Sequence, residues 1–326
     1  MRRALRPLLI PLLRRRPDEV ERAAEHFSVD SRPGRDLVAG VGRAFLGGYH
    51  AMLEARTLGA VAASGLSVAS HFRPFFFEGA AMGYLPRATF TPGTGRQRVE
   101  ADLLAMDARF LYLYYVGLGF WYGFRHPGRP GALEALAPHL DPFYAPLCYD
   151  GFGFKLGFFD HPKRKEAAAI LARAPAHRAS AIYQGFGRAL FFVCMEDATR
   201  WERERASVPA ERRNDLESGR SLALAFTGIS QPETILHHLA GAASDEEREQ
   251  RLLGVTWALT AREMNDPPYF DDCLRGLPPP HQALLRRLPR ECREARESSA
   301  GYDDWRMKTR ERVASAYVAS REVSRR

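Results

Sequence analysis

Asp150 stands in the stretch CYDGFGFKLGFF, residues 148–159, among five aromatic rings and beside Gly151, Gly153 and Gly157. A carboxylate in so apolar a stretch either does chemistry or satisfies backbone amides. Two further stretches place acids comparably: Glu78 in FFFEGAAMGYL (75–85), and Glu217 or Asp215 in NDLESGRSLALAF (214–226). Carboxyls that converge in a core perturb one another's pKa, which is how a general acid is built. The same acids at helix starts would act as caps, accepting backbone N–H groups at the positive end of the dipole. Arg43 and Arg188 each follow a glycine in G-x-G-R. They either pair with the acids as a polar network or, with Lys155, hold an anionic end of a ligand. The expected catalytic set is therefore Asp150, Glu78, Glu217 and Asp215.

Other chemistries find little footing. Cys148, Cys194, Cys273 and Cys292 are widely separated, with no C-x-x-C pair, so neither a zinc site nor a disulfide framework is expected. His237 and His238 lack a ligand at i+4, and no metal is expected there. ASGLSVAS lacks the second glycine of a nucleophile elbow. The G-x-G stretches lack a third glycine and a preceding strand, which argues against a dinucleotide. YFDDC and GYDDW offer adjacent acids without the further acid a magnesium–diphosphate motif wants, and read as helix starts. No cofactor is assigned.

The elements that must position these residues are helical. DLVAGVGRAFLGGYHAMLEA and SDEEREQRLLGVTWALTAREM carry apolar residues at three- and four-residue spacing, and Ser244 with Glu247 forms a capping box. Alternating β-branched runs are scarce. GVGRAFLGGY (40–49) recurs as GLGFWYGF (117–124), as GFGRALFF (185–192) and more weakly as GVTWALTA (254–261), and the acid-bearing motif trails the first three at the same spacing of about 70 residues. Glycine inside a helix costs about 1 kcal/mol relative to alanine, so its repeated use implies close helix crossings. The expected fold is mainly α: one compact domain of pseudo-repeated helical units around an aromatic-rich interior. Its boundaries are a basic N-terminal segment (1–20), the helical domain (21–285) and a C-terminal helix (286–326). The same small faces, walled by Phe152, Phe154, Trp121, Tyr183 and Trp257, would border an apolar cavity for a hydrophobic small molecule.

Composition bounds the setting. At 326 residues and 45% hydrophobic content the chain can bury a large core. The formal charge of +8 comes mostly from scattered arginine, with no basic stripe interleaved with aromatics, so a nucleic-acid partner is not expected. The opening MRRALRPLLIPLLRRRP is basic and apolar but broken by Pro7 and Pro11 and without a cleavage site. It reads as a surface segment able to touch a membrane peripherally. The charge-free runs 57–72 and 110–124 are shorter than a membrane span. The expected location is cytoplasmic.

The motif order FLGGYHAML, FFFEGAAM, YYVGLGF, LDPFYAPLCYDGFGFKLGFF, YQGFGRALFFV, RRNDLESGRSLALAFTG, GVTWALTARE and YDDWR resembles a bacterial family known mainly as a domain of unknown function, whose members include a conserved protein of enediyne antibiotic gene clusters. The resemblance runs from about residue 20 to 310. It implies specialised metabolism, with an enzyme acting on a hydrophobic, polyene-like intermediate as the leading expectation. A non-catalytic binding or scaffold protein, for such a metabolite or a partner enzyme, is the alternative, and an isoprenoid cyclase a weaker one. The family pattern carries histidine where this chain has Lys155, and an aromatic and a glycine where it has Glu217 and Ser221.

Overall fold

The computed structural model describes residues 6–16, 18–91, 95–160 and 164–324; expectations that fall on residues 1–5 and 17 of the N-terminal segment lie outside them. Every regular element among the described residues is helical, and no strand occurs there. The mainly α expectation therefore holds. The chain divides into two compact units, 1–202 and 203–326.

In the first unit the helices are α1 (Arg6–Leu13), α2 (Glu19–Ala24), α3 (Arg32–Glu54), α4 (Leu58–Leu66), α5 (Arg73–Ala88), α6 (Val99–Asp107), α7 (Leu111–Arg125), α8 (Leu147–Phe159), α9 (Arg164–Leu171) and α10 (Ala179–Val193). α11 (Ala198–Ala206) reaches the boundary. In the second unit they are α12 (Arg213–Thr227), α13 (Pro232–Ala240), α14 (Asp245–Asn265), α15 (Pro267–Leu274), α16 (Pro279–Glu297) and α17 (Tyr302–Ser324). The region after residue 285 thus holds the end of α16 and all of α17, with a break at 298–301.

Local chemistry explains the helix limits. Ser31 accepts from the Gly34 amide at the start of α3, Thr57 from Ala60 at α4, and Ser244 from Glu247 at α14. The last is the capping box read from sequence, although the Glu247 carboxylate bonds the Ala243 amide instead of that of Ser244.

What holds α3, α5, α7, α8 and α10 together is backbone proximity. The pairs α3 with α5, α5 with α7, α7 with α8, and α8 with α10 pack directly, as α12 does with α14 in the second unit. At α8 with α10 the approach is reciprocal: a Cβ on Gly153 would lie 2.0 Å from the Ile182 carbonyl oxygen, and one on Gly185 would lie 1.8 Å from that of Asp150. No side chain fits at such a distance, so glycine is required there and its helix cost is repaid by packing. α7 with α8 shows the same exchange through Gly119 and Gly151.

One helical stretch among the described residues, 96–125, is long and apolar enough to cross a membrane. It joins two runs of helix, α6 and α7, that the sequence divides, and 61% of its most apolar window packs inside the protein.

Candidate functional site

The close crossing of α8 and α10 brings polar side chains together in the first unit. Asp150 enters from the first turn of α8, Gln184 and Arg188 stand one turn apart on α10, and Glu78 comes from mid-α5. Arg188 donates through Nη1 to Asp150 Oδ1, and Gln184 Nε2 donates to Asp150 Oδ2 at 3.0 Å. Arg188 Nη2 lies 3.5 Å from Glu78 Oε1, which accepts no hydrogen bond. Glu78 and Asp150 are 3% and 1% exposed, so water does not screen this group. Both Asp150 oxygens are taken by side chains, and the helix-cap reading of this residue therefore fails.

Two carboxyls and one guanidinium leave the cluster one positive charge short if both acids ionise. Burial pushes the Glu78 carboxyl up to about 7, with Arg188 pulling it down and Asp150 pushing it further up. Glu78 is therefore able to hold a proton near neutral pH. Burial opposes the charge on Arg188, but Asp150 and Glu78 outweigh it and raise its pKa.

The expected aromatic walls pack on one another. Arg188 sits 5.2 Å from the Phe154 ring centre, Phe154 stacks on Phe158 at 5.3 Å, and Phe120 lies 5.1 Å from Phe154. Phe152 is fully buried, Tyr183 is buried on α10, and Trp121 is partly exposed. Arg43 is exposed and makes no ion pair with the acids, which corrects the expectation that it shares their network; its neighbour Gly42 faces Val20.

Lys155 is also buried, but it faces away from Asp150. Its Nζ donates to Asp160 Oδ2 at 2.6 Å and lies 4.9 Å from the Phe124 ring centre. It lines a cleft of about 480 Å³ between α2, α7 and the end of α8, bordered also by Arg22, His26, Phe124, Phe159 and Asp160.

The remaining acids belong to the second unit and have their own cations. Asp215 accepts from Arg306 at 2.7 Å, with Arg212 at 3.4 Å. Glu217 accepts from Arg251 at 3.1 Å. Burial raises both carboxyls, against the pull of Arg306 on Asp215 and of Arg220 and Arg251 on Glu217. Trp257 stacks on Trp305 at 5.0 Å beside Tyr302 and Arg306. Nothing in the sequence pairs the buried Ser221 with His238, whose Oγ and Nε2 are 2.7 Å apart. Burial lowers His238 to about 3, helped by Arg251 and Arg220, so its ring is neutral. Glu217 lies 4.0 Å from that same Nε2 and does not orient the ring through the other nitrogen, as a triad acid does.

The D-D pairs are surface features. Asp271 and Asp272 pair with Arg286 and Arg275, while Asp304 accepts from the Ala300 amide and from Lys308. Among the described residues no three His, Cys, Asp or Glu side chains converge to hold a metal ion. Comparison with curated proteins and with solved structures gives no match. The model of a family described as protein of unknown function (DUF1702) matches residues 3–313, nearly the whole chain, and the chain belongs to that family.

Proposed function

We propose that this protein is an enzyme of specialised metabolism that acts on a hydrophobic, polyunsaturated intermediate by proton transfer, with Glu78 as the acid. The observation that carries the reading is the paired carboxyls in unlike surroundings: Asp150 bound on both oxygens by Arg188 and Gln184, Glu78 pushed up to about 7 with an oxygen free of hydrogen bonds. Environments that separate two carboxyls in this way assign acid and base roles. In the proposed step the Glu78 carboxyl protonates one carbon of a polarised double bond, becoming carboxylate as the substrate becomes cationic. The same carboxylate then removes a proton from a neighbouring carbon, so the double bond shifts and Glu78 is restored. Arg188 steadies the transient carboxylate. The enediyne-cluster resemblance supports the metabolic setting, and the four unpaired cysteines fit a cytoplasmic one.

The test is native mass spectrometry of the protein from its own host, followed by denaturing extraction. Any co-purifying polyene is then incubated with fresh protein in D2O. Deuterium entering the polyene with the wild type, and absent with Glu78→Gln, is the expected result. No exchange with a bound polyene sinks the enzymatic reading.

A second reading, a binding or scaffold protein for such a metabolite or for a partner enzyme, draws on the engagement of Asp150, both of whose oxygens already accept from protein side chains. Bound polyene without exchange is its signature. The isoprenoid cyclase gains no support, since Asp271 and Asp272 are paired with arginines and Asp304 with Lys308 and the Ala300 amide.

A further inference from the structure

The cleft beside Lys155 has a feature the proton-transfer site does not use. Its volume, about 480 Å³, falls in the range of small-molecule sites. At its floor Lys155 is 5% exposed, yet its ammonium donates to one acceptor, Asp160. An ammonium has three N–H donors, so two remain for a ligand. Burial of an ion with donors unused is costly unless something completes the shell. Two further acids line the cleft besides Asp160: Glu19 is already paired with Arg15 at 2.7 Å, and Glu25 is exposed to solvent. Arg22 adds a second cation at the rim.

The walls say what the rest of the ligand is. Phe124 and Phe159 line the cleft with centroids 5.2 Å apart. Phe159 touches Phe158 at 5.0 Å, Phe158 stacks on Phe154 at 5.3 Å, and Phe154 lies under Arg188 at 5.2 Å. A row of ring contacts thus runs from the cleft to the Glu78 and Asp150 cluster. Rings accept flat conjugated chains by stacking, and phenylalanine offers no polar group that would have to be satisfied.

We infer that the cleft is a binding site for the carboxylate end of a conjugated, chain-like molecule, held by Lys155 with the unsaturated chain lying against Phe124 and Phe159. The chain's unsaturation rests on the proposed function; the anionic head rests on the cleft alone.

The probe is trans-parinaric acid, a fluorescent conjugated tetraene carboxylic acid, titrated into the full chain and compared with its methyl ester. The expected result is saturable binding of the acid at least about tenfold tighter than the ester. Lys155→Met should bind acid and ester alike, and Lys155→Arg should restore the preference. Thermal melting checks that the variants fold. If Lys155→Met does not fold, Ala23→Trp, which fills the cleft from the partly exposed side of α2, replaces it and should abolish binding of both probes. Equal binding of acid and ester by the wild type, or an unchanged preference in Lys155→Met, overturns the inference. Glu78→Gln separates the two ideas: it should lose proton exchange yet bind the acid as the wild type does, and a wild type that keeps the acid preference but shows no proton exchange defeats the enzymatic reading alone.

Discussion

Glu78 and His238 give the protein opposite responses to pH. Glu78 is raised from 4.5 to about 7 on folding, so between those values the folded state holds more protons than the unfolded and stability falls as pH rises. The full effect is at most about 3 kcal/mol. His238 is lowered from 6.5 to about 3, so between those values the unfolded state holds more protons and stability rises with pH. The two slopes oppose each other between about 4.5 and 6.5, where the raised Asp215 and Glu217 act in the same sense as Glu78. Glu78→Gln removes one contribution, and urea denaturation followed by circular dichroism should then show stability rising relative to the wild type by about 1.4 kcal/mol per pH unit across that interval. A variant profile parallel to that of the wild type would show that Glu78 is not the group responsible. Arg188→Met is a harsher change, because it strands two buried carboxyls. It should cost about 3–5 kcal/mol at pH 8, less at pH 5 where Glu78 is neutral. Asp150→Asn leaves Gln184 a partner but removes the counter-charge of Arg188, so a loss of about 2 kcal/mol or more is expected in the same assay.

At the scale of elements, α8 is the element to perturb. It packs against both α7 and α10, and residues Leu147 to Phe158 are all buried. Gly185→Ala would push a methyl into the Asp150 carbonyl, 1.8 Å away, and only separation of α8 from α10 relieves it. A loss of about 3 kcal/mol or more should appear in urea unfolding, as for other severe overpacking. Gly131→Ala, where a Cβ meets nothing within 4 Å, is the control and should change stability by less than about 0.5 kcal/mol. Gly119 with Gly123 and Gly153 with Gly157 were readable as crossing points because they stand four apart in otherwise aromatic helices. Which helix each would meet was not, since spacing along one helix says nothing about its partner.

Across the whole molecule, amide exchange should rank the helices by burial. α5, α8 and α10 should be the slowest in hydrogen–deuterium exchange, whereas α2, with one buried residue, and α4, with two, should exchange fastest. Fast exchange in α8 would contradict its place between two close neighbours. The division at residues 202 and 203 was not legible from composition, because no linker rich in proline, glycine or serine marks it; α11 carries the chain up to it. What the sequence determined by itself was the helical class, through apolar spacing and the lack of alternating runs, and the burial of Glu78, Asp150 and Arg188, through charged residues set in apolar, glycine-bearing motifs. The tertiary structure decided how they are used. It joined Asp150 to Arg188 across 38 residues, left Arg43 in solvent, gave Asp215 and Glu217 separate arginines, and paired Ser221 with His238. Local patterns report which residues must be buried, because burial is a property of one helix face. Which charge meets which depends on how two backbones cross, and that is fixed only when the helices pack.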